Sequence, residues 1–252
     1  MKHVIVDGLD IAYDSSGTGK HVLLVHGWGS NMQTYDQLSE LLAKKFHVLR
    51  LDLPGFGGSQ TPKKGWDLDD YALFLDSFLK KMDSLPLHGL IGHSLGGRIA
   101  LRAQATGHLT SEKLVLLASH GIASPRSPRI MFYKLLAKLG KALSYVLPAS
   151  MRKSLRERLY QRAGSTDYAN TAPAMKETFQ NIISQDLRDD VTKIQTDALL
   201  IYGTKDTMTP PKYGEIFASR MPHARLEVID GAGHYVHLDN YSRVSTLIGS
   251  FL

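Results

Sequence analysis

A chain of 252 residues with 43% hydrophobic, 21% charged and 8% aromatic residues has the composition of one globular domain, or of one domain with an insertion, and excludes a disordered or fibrous chain. With no cysteine, it excludes disulfides, thiolate zinc sites and a cysteine nucleophile, and fits a reducing, cytoplasmic setting. The net charge of +6 invites a nucleic-acid or membrane reading, yet Arg126 to Arg162 holds ten Lys or Arg against the single acid Glu157, a net +9 that leaves −3 on the rest of the chain. No apolar run approaches the ~18 residues of a bilayer span, and the stretch opening Met-Lys-His-Val-Ile-Val-Asp-Gly breaks too early for a signal peptide.

Residues 1–14 alternate loosely, with Val4, Ile5 and Val6 and then Ile11, Ala12 and Tyr13 on either side of Gly8, which predicts a strand pair at a sheet edge. His21 to Val25 is a continuous apolar run ending at His26-Gly27-Trp28-Gly29, the pattern of a strand buried on both faces, as in a parallel sheet covered by helices. Helical spacing follows over residues 35–45 (Tyr35, Leu38, Leu41, Leu42), then a strand from Phe46 to Leu51 that closes on the loop Asp52 to Ser59. Leu68 to Lys81 reads as a helix with Leu68, Tyr71, Ala72, Leu75, Phe78 and Leu79 on one stripe. Leu87 to Ile91 is a strand, Leu95 to Ala105 a helix, and Lys113 to Ala118 a strand before the Ser/Gly/Pro-rich break at residues 119–128. Strand and helix alternating in this order predict βαβ units and a parallel sheet.

From about Ile130 to Asp190 only helical periodicity remains. The alternation resumes with a strand at Ala198 to Tyr202, a helix near Tyr213 to Met221, a strand at Arg225 to Ile229 and a last helix from about Tyr241. The chain therefore divides into an α/β core, residues 1–123 and 191–252, and an all-helical lid, residues 124–190, inserted into it.

The chemistry gathers at the ends of the strands. Gly92-His93-Ser94-Leu95-Gly96-Gly97 stands directly between the strand Leu87 to Ile91 and a helix, where a G-x-S-x-G turn lifts a serine hydroxyl out of the sheet at a helix N-terminus. Glycines suit such a turn because it is strained and the helix crosses close to the strand. A serine hydroxyl needs a base, and an imidazole base needs an orienting carboxylate. His234, in Gly231-Ala232-Gly233-His234, and Asp206, in Gly203-Thr204-Lys205-Asp206, both follow strands directly, where the ligand sites of open α/β sheets gather. The order Ser94, Asp206, His234 is that of the α/β-hydrolases.

On five motifs in family order (His26 to Gly29, Asp52 to Ser59, the Ser94 turn, Gly203 to Asp206 and Gly231 to His234) the chain resembles lid-bearing serine hydrolases of the α/β-hydrolase fold, the esterase and lipase-like group. The resemblance implies a mostly parallel central sheet flanked by helices, with the helical lid inserted. It implies Ser94 as nucleophile, His234 as base, Asp206 as its acid, and an oxyanion hole of the Trp28 and Leu95 N–H groups. It assigns His26 and Asp52 to scaffolding and His93 to packing beside the nucleophile. His237, three residues from His234, lacks the glycine turn before it and is the lesser candidate for base. No Asp or Glu lies between Glu112 and Glu157, which closes the alternative position of the acid after the strand Lys113 to Ala118. Serine at 94 sets aside the chemistry of haloalkane dehalogenases and epoxide hydrolases, which use aspartate there. The loop after His26 also lacks the glycine-proline-glycine of proline iminopeptidases. No metal-ligand or phosphate-loop pattern occurs, so no metal and no cofactor is implied.

Trp28 and His93, with Met131, Leu135 and Leu139 from the lid, are the candidates for substrate contact. Lys134, Lys138 and Lys141 share one helical face of that lid segment. An ordinary lid helix, apolar side inward, is favoured over membrane-surface contact, and a basic rim would attract carboxylate or phosphate-bearing substrates. The expected function is hydrolysis of a small carboxylic ester, thioester or lactone. Two alternatives are a carbon–carbon bond hydrolase of the meta-cleavage type, acting on a dienol carboxylate, and a non-catalytic hydrolase-like receptor that binds without turnover. Nucleic acid is not an expected partner, because the basic residues are not interleaved with aromatics.

Overall fold

The computed structural model describes residues 1–122 and 172–252. Val22 to Val25 are fully buried, and their alternation along β3 (His21–Val25) shows why a continuous apolar run is needed. Val22 and Leu24 point to one face of the sheet, against α1 (Asp36–Leu42) and α7 (Tyr241–Phe251). Leu23 and Val25 point to the other, against α2 (Leu68–Lys81) and α3 (Leu95–Thr106). Each such side chain contributes about 1.5–3 kcal/mol through burial, and a polar residue on either face would forfeit it.

The remaining strands are β1 (Lys2–Val6), β2 (Leu9–Ser16), β4 (His47–Leu51), β5 (Leu87–His93), β6 (Ser111–Leu117), β7 (Asp197–Gly203) and β8 (Ala224–Ile229). Among the described residues they form one sheet in the order β1-β2-β4-β3-β5-β6-β7-β8. β1 and β2, joined by the predicted turn at Gly8, pair antiparallel, and β2 pairs antiparallel with β4. All pairings from β4 through β3 to β8 are parallel, so the C-terminal ends of β5, β6, β7 and β8 lie side by side at one edge. This is the α/β-hydrolase arrangement expected from the sequence.

Local chemistry fixes the helices that frame this edge. Asp67 caps α2: its Oδ1 accepts from the Asp69 and Asp70 amides at 2.9 and 3.0 Å, while Asp70 Oδ2 accepts from the Asp67 amide. The predicted apolar stripe of α2 is buried throughout, with Phe74 added. Arg102 of α3 binds Asp69 of α2 and Asp190. α4 (Pro173–Ser184) docks on the loop before α2, where its Glu177 carboxylate and Thr178 hydroxyl accept from the Gly65 and Trp66 amides. A 3-10 turn over Asp190–Lys193 leads on to β7.

Several boundaries shift by a few residues from expectation, and one element is new. β5 runs on to His93 rather than stopping at Ile91, because its edge still pairs with β6 through Leu117. The helix expected near Tyr213 to Met221 is α5 (Pro211–Ala218), started by a proline whose missing N–H costs nothing in a first turn. A short helix, α6 (Val236–Asp239), follows the His234 turn and was not expected, being too short for periodicity to show. Of the segment assigned to the lid, residues 172–190 are described; residues 124–171, with Met131, Leu135, Leu139 and the three lysines, lie outside the described residues. No helix of the described residues is long and apolar enough to cross a membrane.

Candidate active site

Ser94 stands between β5 and α3 with φ 49° and ψ −105°, a backbone state that costs a non-glycine residue roughly 1–3 kcal/mol and persists only where its surroundings impose it. They do so here: the Ser94 amide donates to Leu117 O and the Ser94 carbonyl accepts from the Arg98 amide, both at 3.0 Å. The flanking glycines let the backbones close up. A Cβ on Gly96 would lie 2.0 Å from Val25 O, and one on Gly92 2.5 Å from the Gly96 carbonyl. The turn leaves the Ser94 side chain half-buried at the sheet edge.

Asp206 follows β7 and is 4% exposed. Its Oδ1 accepts from the Met208 and Thr209 amides, each at 2.8 Å, and its Oδ2 from His234 Nδ1 at 2.8 Å. The Thr209 hydroxyl reaches Asp206 Oδ2 at 2.5 Å and Ala118 O at 2.9 Å. Burial raises the Asp206 carboxyl, but the bonds from His234 and Thr209 outweigh it and hold the group below the usual carboxylate range. An ionised Asp206 fixes the proton on Nδ1 of His234, which leaves Nε2 as the basic nitrogen. Among the described residues no hydrogen bond joins Ser94 Oγ to His234; such contacts often tighten only around substrate.

His93 is 1% exposed and lies beneath the site. Its ring is 4.8 Å from that of His234, and its Nε2 donates to the His234 carbonyl at 2.9 Å. Its Nδ1 has no partner and faces Gly27, where a Cβ would approach it to 2.8 Å and Ser94 Cβ to 3.2 Å. The loop after β3 is thus pressed against the Ser94 turn. His237 points elsewhere, stacked on Tyr35 with ring centroids 5.1 Å apart and bonded through Nε2 to the Thr34 hydroxyl, with no bond to Asp206. His26 uses both ring nitrogens, Nδ1 donating to Gly27 O at 2.7 Å and Nε2 accepting from the Leu53 amide at 2.9 Å. Asp52 accepts from the Met32 and Gly58 amides. These two residues hold the loops after β3 and β4 together.

Neither the Trp28 nor the Leu95 amide donates to an acceptor among the described residues. The Trp28 ring is half-buried, edge-on to Phe56 and Phe179, each with ring centroids at 5.0 Å. Thr209 and Phe179 escaped the sequence reading, and Phe56 entered it only as part of the loop Asp52 to Ser59. Asp206-x-x-Thr209 is a readable turn signal, whereas nothing in the sequence links Phe179 to a tryptophan so far away in the chain. No group of His, Asp and Glu among the described residues is placed to hold a metal ion.

The buried histidines carry a stability consequence. Burial pushes His237 down to about 4, so between that value and the ordinary ~6.5 the unfolded chain binds a proton that the folded chain refuses. Acidification through this window therefore favours unfolding. Thermal melts from pH 7 to pH 4.5 are expected to fall steeply for the native chain and, in His237→Asn, with a slope shallower by the linkage of one proton. Equal slopes would contradict the burial of a neutral imidazole at this position.

The model of the alpha/beta hydrolase family matches residues 22–246. A pimeloyl-acyl-carrier protein methyl ester esterase of Neisseria meningitidis serogroup B is 28% identical over 245 residues, covering 92% of this chain and 93% of the esterase. An uncharacterized protein of Mycobacterium tuberculosis is 26% identical over 278 residues, covering 98% of this chain and 79% of its own length. Among solved structures, that of Est816, an N-acyl homoserine lactone degrading enzyme, superposes with a TM-score of 0.76 at 23% identity over 100% of both chains, a likeness of fold.

Proposed function

The chain belongs to the alpha/beta hydrolase family, and on that premise we propose that it is a serine carboxylesterase, cleaving a carboxylic ester, or a thioester or lactone, through an acyl-enzyme on Ser94. The observation that carries this reading is the His234 Nδ1–Asp206 Oδ2 bond at the strand ends beside the strained Ser94 turn. In this mechanism Nε2 of His234 takes the hydroxyl proton as Ser94 attacks the carbonyl carbon. Asp206 stabilises the imidazolium, and the Trp28 and Leu95 N–H groups hold the oxyanion, contributing about 3–4 kcal/mol each. His234 returns the proton to the leaving alcohol or thiol. Water, deprotonated by the same nitrogen, then releases the acid.

The two half-open amides at Trp28 and Leu95 and the aromatic flank of Trp28 support a small acyl pocket, with residues 124–190 as its lid over the core of residues 1–123 and 191–252. In this reading Trp28 contacts substrate together with Met131, Leu135 and Leu139, while His93 acts from below. The methyl ester substrate named for the Neisseria relative agrees with this class, and the proposed setting is cytoplasmic. A panel of p-nitrophenyl esters from acetate to dodecanoate, with one γ-lactone, is expected to show hydrolysis without added metal or cofactor. At the best chain length kcat/KM should reach about 10⁴ M⁻¹s⁻¹ or more. Binding of these compounds without release of acid would instead support a receptor.

A further inference from the structure

Arg98 lies one turn along α3 from Ser94, about 6 Å further on, and is 2% exposed. Its Nη1 donates to His120 Nδ1 at 2.7 Å and its Nη2 to the Gln185 carbonyl, while its Nε is buried without a partner. No carboxylate among the described residues is within ion-pair distance of it; Asp186 acts on it only from further away, its own carboxylate gripping Arg188. One turn on, Arg102 makes three bonds to Asp69 and Asp190. The same helix thus presents one fully paired arginine and, nearer Ser94, one that is not.

Burial lowers the Arg98 guanidinium to about 10, which leaves it cationic at neutral pH, and burial with the neighbouring Arg98 lowers His120 to about 4, which keeps that ring neutral. The Ser119 hydroxyl beside them is also buried without a partner. A buried cation without a counter-ion and with its Nε N–H unused is costly unless something completes it. The single positive charge of Arg98 balances the one negative charge of a carboxylate but only part of that of a phosphate dianion. Arg98 lies on α3, the helix that also carries the Leu95 amide of the proposed oxyanion hole; this puts the carboxylate on the acyl part.

We propose that Arg98, flanked by Ser119 and His120, recognises a carboxylate on the acyl part of the substrate, so that the preferred substrates are half-esters of short dicarboxylic acids or the corresponding lactones. The inference rests on Ser94 as nucleophile. It is tested with monomethyl succinate, glutarate and adipate against methyl butanoate, pentanoate and hexanoate.

The native enzyme is expected to favour the charged series by roughly tenfold or more in kcat/KM, mostly through KM. In Arg98→Met the charged-to-neutral ratio should fall roughly 30-fold or more, with Arg98→Lys between. Equal use of both series by the native enzyme would overturn the proposal, as would an equal loss on both in Arg98→Met, the mark of a residue that merely ties Gln185 to α3. Binding is read separately as the rise in melting temperature with adipate in Ser94→Ala, expected to be absent in Ser94→Ala/Arg98→Met. If neither series is hydrolysed but the adipate shift depends on Arg98, the nucleophile assignment fails and the anion site stands; no shift overturns the site. Should Arg98→Met not fold, competition in the native enzyme decides, adipate being expected to inhibit at concentrations at least about tenfold below 1,6-hexanediol.

Discussion

Replacing Ser94 by alanine is expected to lower kcat/KM toward p-nitrophenyl butyrate by about 10⁴-fold or more. In the proposed mechanism the loss is large because everything else in the site serves an attack that only this oxygen can make: the Trp28 and Leu95 amides would polarise a bound ester, but without the hydroxyl there would be no acyl-enzyme to break down. What remains is the rate that binding and the oxyanion donors give to water alone. The change is cleanly chemical, because the unusual backbone state at residue 94 is imposed by the Leu117 carbonyl and the Arg98 amide and by the glycine contacts of Gly92 and Gly96, none of which uses the side-chain oxygen. Melting temperature and secondary structure should therefore stay within a few degrees of the native values. A variant that unfolds would mean that the hydroxyl carries structure; one that keeps full activity would place the nucleophile elsewhere.

Asp206→Asn is expected to lower kcat by about 10³-fold with KM changed little, and the reason lies in which oxygen is pinned. Oδ1 accepts two backbone amides, from Met208 and Thr209, so an asparagine must keep its carbonyl oxygen there and turn its amide nitrogen toward His234. That nitrogen donates, so His234 Nδ1 has to accept and the ring proton moves to Nε2, the atom that should take the proton from Ser94. The substitution preserves shape while installing the wrong tautomer. Asp206→Ala, which leaves the imidazole free to choose, is expected to be no worse in kcat despite losing more contacts. If Asp206→Asn kept native turnover, the acid would not be Asp206. Steady-state kinetics on the three proteins, with His234 tautomers followed by ¹⁵N chemical shift, separates the cases.

The sheet was legible because its strands are buried on both faces, which turns β3, β5, β6 and β7 into near-continuous apolar runs, and because each ends where a glycine-rich turn begins. The positions of Ser94 and Asp206 could be picked out for the same reason, each following such a run, whereas His234 follows the partly exposed β8 and is marked instead by the Gly231-Ala232-Gly233 turn before it. What brings Asp206 and His234 within 2.8 Å is the parallel pairing of β7 with β8, and that was implied by strand order. The Thr209 hydroxyl bridging Asp206 to Ala118 depends on the loops after β6 and β7 meeting across the sheet edge, and the Arg98–His120 contact on the loop after β6 meeting α3. No local pattern encodes such a meeting. Nothing in the sequence marks Arg98 as buried; only packing reveals it. His93, at the end of β5, bonds the His234 carbonyl, whereas His237, on α6, bonds the Thr34 hydroxyl.

The most direct test of the central claim, a covalent intermediate on Ser94, is intact-mass and peptide mapping after reaction with an alkyl fluorophosphonate, which captures only a serine activated by a neighbouring base. The expected result is a single phosphonyl adduct on the peptide carrying Ser94, complete in the native protein and absent in both Ser94→Ala and His234→Ala. Hydrolysis that proceeds undiminished in the fully treated protein, or an adduct at another residue with Ser94 unmodified, would contradict it.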